Sequence, residues 1–176
     1  MTDFLLAKPA APVFAPPSIV AERAGDKVLV DALIDRAFGP GRYAKTAERL
    51  REGGRPLPGL SFVCWRGRAL VGCVRQWPIL IGGAPTVFLG PFAVEADQRG
   101  QGLGAGLIRK ACEAARDAGH AAIFLVGDAA YFQPLGFDPV PQGRLVMPGP
   151  VDPRRLLWRA LTPGGTAALS GDVTRA

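Results

Sequence analysis

A glycine stands at every second position from Gly100 to Gly106, directly before a segment with the apolar spacing of an amphipathic helix. Glycines leave the backbone N–H groups of such a loop unshielded, and the helix adds the positive end of its dipole. This combination forms an anion cradle, most often for phosphate groups. An apolar run at 87–94 comes just before it and predicts a buried strand. The order of strand, polar connection, glycine loop and helix indicates a ligand that carries a pyrophosphate.

The apolar periodicity and the turn residues predict a single α/β domain. Two hairpin signals, at Gly67 and at Gly82-Gly83, place antiparallel strands before the glycine loop, and a strand–helix–strand crossover follows near the middle of the chain. The predicted elements are, in order, a strand at 18–23, helices at 28–38 and 43–52, strands at 60–65, 69–77, 79–81 and 86–94, a helix at 103–118, a strand at 121–126, a short helix at 129–132 capped by Asp128, strands at 137–140 and 144–147, and a short helix opening at Asp152-Pro153.

The predicted domain covers residues 18–161. Residues 1–17 are rich in proline and are expected to form a flexible, extended lead-in. Residues 162–176 are expected to be a frayed C-terminal tail.

The chain has 176 residues, of which 48% are hydrophobic and 20% charged, as in an ordinary soluble globular protein. Its formal net charge of +6 would suit a nucleic-acid partner, but the basic residues are scattered arginines without a run or interleaved aromatic residues. A nucleic-acid partner is therefore not favoured.

No apolar run approaches the length that spans a bilayer, so no membrane association is expected. The three cysteines, Cys64, Cys73 and Cys112, lie in apolar patterns without metal-ligand spacing. They are expected to be buried free thiols, with no metal site, in a protein of the reducing cytoplasm. The sequence leaves the oligomeric state open, a homodimer included.

Other pyrophosphate ligands fit the glycine loop less well. The segment Gly100-x-Gly102-x-x-Ala105 matches a dinucleotide fingerprint, but residues 95–99 separate it from the strand and an acidic ribose ligand about 20 residues later is missing. A phosphate-binding Walker loop requires Gly-Lys-Ser/Thr, which Gly104-Ala105-Gly106 does not provide.

Two motifs together resemble the GNAT N-acetyltransferases, in particular a bacterial subgroup of predicted N-acetyltransferases. Arg99, Gly102 and Gly104 fill the fixed positions of the family's acetyl-CoA loop, Gln/Arg-x-x-Gly-x-Gly/Ala. The segment 124–137, which reads FLVGDAAYFQPLGF, resembles the family's second acyl-CoA segment with its closing Gly-Phe. The resemblance to the family is carried by motifs over residues 86–140 and extends, through the predicted order of elements, over residues 18–85.

The resemblance implies a GNAT-like α/β fold, a twisted, mixed and mostly antiparallel sheet with helices on both faces. It implies that the enzyme transfers an acetyl group directly from acetyl-CoA, as cosubstrate, to a primary amine of a small molecule or peptide. The main chain of strand four is expected to contact the pantetheine, and the glycine loop to contact the pyrophosphate. The cofactor-binding residues so implied are Phe92, Ala93, Val94, Arg99, Gly100, Gln101, Gly102, Leu103, Gly104 and Phe132.

The residue that protonates the leaving thiolate is less clear from the sequence. The family often uses a tyrosine four residues before the glycine of Gly-Phe, and that position is Phe132, which cannot donate a proton. The adjacent Tyr131 is the candidate general acid, although one residue along a helix turns a side chain by about 100°. No general base stands out, since Glu95 and Asp97 lie in a loop and Asp128 suits a helix cap.

Phe132 keeps a second hypothesis open, an acyl-CoA-binding or regulatory module with weak or no transferase activity. The segments 26–52 and beyond Met147 are expected to form the site of the acceptor amine.

Overall fold

The computed structural model describes residues 16–176. The first fifteen residues, and with them most of the predicted proline-rich lead-in, lie outside the described part. The strands are β1 (Ser18–Ala21), β2 (Phe62–Arg66), β3 (Ala69–Ile81), β4 (Ala84–Val94), β5 (Ala122–Val126), β6 (Asp138–Pro139), β7 (Leu145–Val146), β8 (Leu156–Ala160) and β9 (Gly171–Arg175). The α-helices are α1 (Lys27–Phe38), α2 (Thr46–Arg49), α3 (Leu103–Asp117) and α4 (Ala129–Phe132).

The strands form one twisted sheet in the order β1-β2-β3-β4-β5-β8-β6, with β9 added beside β3 and β7 beside β9. Strands β1 to β4 form an antiparallel meander, as the two hairpin signals predict. Strand β5 pairs parallel to β4 because α3 crosses over between them. The mixed, mostly antiparallel sheet is therefore confirmed.

Helices cover both faces of the sheet, so its central strands are buried on both sides. Alternating residues divide between the faces: Phe62 and Cys64 pack in the cluster that contains α3, whereas Val63 packs against α1. In the same way Phe88 and Phe124 face a third cluster, which Leu50 closes. This two-sided burial explains why the strands are almost continuously apolar in sequence.

The structure corrects two of the predicted elements. Strand β3 does not break at Pro78, because this residue lies between the segments of β3 that pair with β2 and with β9. A residue without an N–H is tolerated where no ladder partner needs one. The helix predicted at Asp152-Pro153 is a single 3-10 turn, Pro153–Arg155, that leads into β8 beside β5.

The expectation of a frayed tail after Thr162 is wrong. Strand β9 pairs antiparallel with β3 over Ile79–Ile81 and parallel with β7. Val173 is 1% exposed and belongs to the cluster that also contains Ile79 and Ile81. The C-terminal strand is therefore part of the core of the domain.

Replacing Val173 by alanine should lower the free energy of unfolding by about 1–3 kcal/mol, since two buried methyl groups are lost and a cavity remains. Val146→Ala is the matched control, because Val146 is 56% exposed on the neighbouring β7; it should change stability by less than about 0.5 kcal/mol. Urea denaturation of both variants measures the difference. Equal free energies of unfolding for the two variants would show that β9 does not pack in the core.

Candidate functional site

The sheet opens between β4 and β5. Their parallel pairing covers Val87↔Ile123 and Phe88↔Phe124 and then ends. Beyond Phe88, no strand of residues 16–176 pairs with the edge of β4 that faces β5, whereas the opposite edge of β4 remains paired with β3. A bulge lies in the same stretch, because Gln76 pairs with Leu89 whereas Val74 pairs with Phe92. The main chain of β4 from the bulge onward thus has one edge turned to the gap.

The glycine loop ends at the start of α3 without a side-chain cap. Gly100 and Gly102 have φ of +75° and +77°, values that favour glycine. The first helical hydrogen bond runs from the Gly106 N–H to the Gly102 carbonyl, and no side chain caps the helix. The N–H groups of the preceding turn therefore lack helical acceptors. The structure thus places an uncapped helix start at the glycine loop, a geometry that suits an anion.

A cavity of about 470 Å³, which we call the cradle cavity, joins the glycine loop to the end of β4. It brings together nine residues that the sequence singles out: Phe92, Ala93, Val94, Arg99, Gly100, Gly102, Leu103, Gly104 and Tyr131. Its other lining residues are Ala37, Phe38, Gln98 and Ala105. Gln101 does not line it, because its amide oxygen accepts a hydrogen bond from Arg66 Nη2 at 2.7 Å. Arg99 ties the loop to β4 through a bond from its Nε to the Val94 carbonyl, 3.1 Å long.

A second cavity, the inner cavity, has a volume of about 520 Å³ and shares Phe38 and Phe92 with the cradle cavity. It lies where β4 and β5 separate, with Gly90 and Pro91 on one strand and Leu125 and Val126 on the other. The rest of its wall comes from 42–51, 127–132 and 150–155. The two segments expected to form the acceptor site, 26–52 and the chain after Met147, do line it.

Tyr131 and Phe132 face different cavities. Tyr131 lines the cradle cavity and Phe132 the inner cavity, and both rings pack on Phe92, with ring centroids 5.8 and 6.1 Å away. A Cβ added to Gly104 would overlap the Tyr131 hydroxyl and lie 2.9 Å from Phe92 Cζ. The hydroxyl therefore sits against the first turn of α3. Partial burial raises the pKa of Tyr131, a shift that nearby Arg109 reduces.

Sequence reasoning missed two arginines in the wall of the inner cavity. The side chains of Arg42 and Arg51 are only 14% and 10% exposed. Arg51 Nη2 bonds to Glu48 Oε2 at 2.8 Å, and Arg42 Nε bonds to Asp35 Oδ1 at 2.9 Å. Burial lowers the pKa of the Arg51 guanidinium, and Glu48 partly offsets that effect. Nothing in the local pattern of the segment 42–51 signals that these side chains turn inward.

The candidate acids have other roles in the structure. Glu95 forms an ion pair with Arg36 of α1, 2.5 Å long. Asp128 caps α4 by accepting a hydrogen bond from the Ala130 N–H at 3.0 Å, as predicted. Its carboxylate also belongs to the wall of the inner cavity.

The three cysteines are free and buried, as predicted. Burial raises the pKa of each thiol, that of Cys73 to about 12, so these groups are poor nucleophiles at neutral pH. Among residues 16–176, no cluster of three or more His, Cys, Asp or Glu residues could hold a metal ion. In the same range, no helix combines the length and apolar character needed to cross a membrane.

A mostly antiparallel sheet that opens at β4–β5, beside an uncapped glycine-rich helix start, defines the GNAT class of acyltransferase folds. The sequence model of the Acetyltransferase (GNAT) family matches residues 28–137, and the chain belongs to this family.

Two relatives support the assignment. The uncharacterised N-acetyltransferase YhbS of Escherichia coli K12 is 32% identical over 111 residues, which are 62% of this chain and 66% of YhbS. The crystal structure of YhbS with CoA superposes with a TM-score of 0.78 at 26% identity, over 95% of this chain and 93% of that one. A GNAT acetyltransferase from Brucella melitensis, solved with acetyl-CoA, gives a TM-score of 0.66 at 26% identity, with 92% and 96% covered.

Asp128→Ala should lower the free energy of unfolding by about 0.5–2 kcal/mol, because the Ala130 N–H loses its acceptor. Asp128→Asn should be close to wild type, since an amide oxygen caps a helix about as well. Asp97→Ala, in the exposed loop before α3, is the control and should shift stability by less than about 0.5 kcal/mol. Chemical denaturation of the three variants measures these differences. A loss in Asp128→Asn equal to that in Asp128→Ala would contradict the capping role.

Proposed function

We propose that this protein is an N-acetyltransferase that transfers an acetyl group directly from acetyl-CoA to the primary amine of a small molecule or peptide. The main support is the pair of cavities that share Phe38 and Phe92. One begins at an anion-binding helix start, and the other lies at the gap between β4 and β5. A ligand with a pyrophosphate at one end and a reactive group at the other fits this arrangement.

The residues present fit acetyl-CoA as cosubstrate. The N–H groups of Leu103, Gly104 and Ala105 would receive the pyrophosphate, because they lack helical acceptors and line the cradle cavity. The edge of β4 at Phe92–Val94 that no strand pairs with would offer main-chain groups to the pantetheine amides, although the Val94 carbonyl already accepts a hydrogen bond from Arg99 Nε. The CoA and acetyl-CoA of the YhbS and Brucella structures belong to those proteins, and they support the same use here.

The chain would act mainly by proximity. Acetyl-CoA supplies a thioester carbonyl, to which the amine nitrogen forms a C–N bond while the C–S bond breaks. Main-chain N–H groups at the open edge of β4 would polarise that carbonyl. Holding the amine and the carbonyl together in one cavity removes much of the entropic cost of the reaction. The amine releases a proton and the departing thiolate takes one up.

This role predicts binding and turnover that depend on the helix start. The wild-type protein should bind acetyl-CoA in calorimetry and release free thiol when a responsive amine is added. Gly102→Glu should weaken CoA binding about 100-fold or more, because it places a negative charge and a strained backbone at the cradle. Gly25→Glu is the control, since Gly25 is exposed, has an ordinary φ and has open space around it. CoA binding that survives Gly102→Glu unchanged would refute the cradle.

We further propose that Tyr131 protonates the departing thiolate. Its raised pKa keeps the hydroxyl protonated through neutral and mildly alkaline pH. At saturating substrates, kcat should therefore fall only above the ordinary titration range of tyrosine. Tyr131→Phe should lower kcat by about 100-fold, the low end for a general acid, and should remove that alkaline fall. An unchanged kcat with a higher KM for acetyl-CoA would instead make Tyr131 a cofactor contact beside Gly104.

We place the enzyme in a reducing compartment, the cytoplasm, because its three thiols are free and buried.

The alternative of an acyl-CoA-binding module makes a different prediction. It requires acetyl-CoA binding without thiol release for any amine of a panel that includes polyamines, amino acids and peptide N-termini.

A further inference from the structure

The inner cavity has a cationic wall at the point where β4 bulges. An ideal Cβ built on Gly90 would lie 3.4 Å from Arg51 Nη1, so this nitrogen stands over the bulge. Arg51 also lies over the Phe88 ring, with its Cζ 5.6 Å from the ring centroid. Arg42 lines the same cavity. Two largely buried guanidinium groups therefore face the space in which the proposed reaction would take place.

The acidic partners of Arg42 and Arg51 lie on the side that faces away from the inner cavity. Glu48 and Asp35 do not line the inner cavity; they line a smaller hollow of about 340 Å³ that Arg42 and Arg51 also border. The two guanidinium groups thus lie between the inner cavity and a hollow that holds their acidic partners together with Lys27 and Arg75. Carboxylates on one side orient such groups and offset part of their desolvation. Arg42 is engaged further, because its Nη2 donates to the Tyr43 hydroxyl at 2.6 Å, whereas Arg51 keeps Nη1 over the bulge as a donor toward the inner cavity.

The charge of the cavity wall is also uneven. Its cationic side chains are Arg42, Lys45, Arg51 and Arg155, and its acidic ones are Asp128 and Asp152. Both acids already accept local hydrogen bonds, Asp128 from the Ala130 N–H and Asp152 from Arg154. Asp35 and Glu48 offset Arg42 and Arg51 only from the side away from the cavity, so the lining itself offers a bound acceptor more cationic groups than unengaged carboxylates.

We propose that the acceptor is an amino-acid-like small molecule, an amine that carries a carboxylate, and that Arg51, with Arg42 beside it, binds that carboxylate. The inference rests on the proposed transferase function and specifies its acceptor. A guanidinium binds a carboxylate through two parallel N–H···O bonds, which suits a group whose donors face a cavity. Because Arg51 stands at the bulge, the carboxylate must be only a few bonds from the reacting amine. The volume of about 520 Å³ suits a molecule of this size.

The first experiment compares matched acceptors. Thiol release at saturating acetyl-CoA is measured for the protein amino acids other than cysteine, whose own thiol would be detected, and for their carboxamides. The decarboxylated amines cadaverine and phenethylamine are compared with lysine and phenylalanine. Rates are expressed per concentration of free amine, because a carboxylate changes the amine pKa. The kcat/KM of the best amino acid should exceed that of its counterparts without a carboxylate by about ten-fold or more. If the amines without a carboxylate react as well or better, the transferase function stands and the carboxylate site is refuted.

The second experiment tests Arg51 directly. Arg51→Gln should raise KM for the best amino acid by about ten-fold or more and leave KM for its carboxamide within about two-fold. Arg51→Lys should retain part of the preference because it retains the charge. Arg116→Gln, an exposed arginine of α3 outside both cavities, is the control. An equal loss of kcat on acid and carboxamide would refute the site and assign Arg51 to the thioester instead. Thermal unfolding of each variant verifies that it is folded.

A third measurement keeps the proposal testable if no amine is acetylated. N-acetyl-L-amino acids and their carboxamides are titrated into the CoA-saturated protein and followed by ligand-observed NMR. Carboxylate-dependent binding that Arg51→Gln abolishes would support the anion site even where the transferase function fails. Binding without a preference for the carboxylate, or no binding, would refute it.

Discussion

The site depends on the separation of β4 from β5 after only two paired positions. Buried main-chain groups need hydrogen-bond partners, and a strand edge inside a protein is normally covered by another strand. Here the edge of β4 beyond Phe88 opens on two cavities. An extended ligand with its own amide groups can provide the partners that β5 does not. The gap between β4 and β5 therefore provides a place where an extended cofactor could insert.

A buried ion network lies on β3 at the position opposite the bulge in β4. Arg75 of β3 lies opposite the bulge and is 8% exposed. It donates to both carboxylate oxygens of Glu22, next to β1, and to Asp31 of α1 at 2.7 Å. Burial opposes the charge of Arg75, but these hydrogen bonds outweigh it and raise its pKa. The network joins β1, β3 and α1, and α1 also carries Asp35, which orients Arg42. Helix α1 therefore contacts both Arg75, opposite the bulge of β4, and Arg42, in the wall of the inner cavity.

Features set by neighbouring residues were predictable from the sequence. The cradle follows from the alternating glycines and the helix after them, and the cap at Asp128 follows from one residue and its successor. Features set by distant pairing were not. Strand β9 exists because β3 continues past Pro78 and offers an edge, and no pattern within 162–176 shows that partner. The inward direction of Arg51 depends likewise on Glu48 and on the position of Phe88.

The arrangement of charge also bears on the missing general base. Several arginines behind the net charge of +6, among them Arg42, Arg51 and Arg75, are held in fixed internal ion pairs and do not form a surface for nucleic acid. In the inner cavity, positive charge near a bound amine disfavours its ammonium form and lowers its pKa. An amine must be neutral to attack a thioester. The carboxylate of a bound acceptor and the ion pairs of Arg42 and Arg51 offset that positive charge. Since Asp128 and Asp152 already accept local hydrogen bonds, we expect the amine to enter the cavity as the free base present in solution or to release its proton to water.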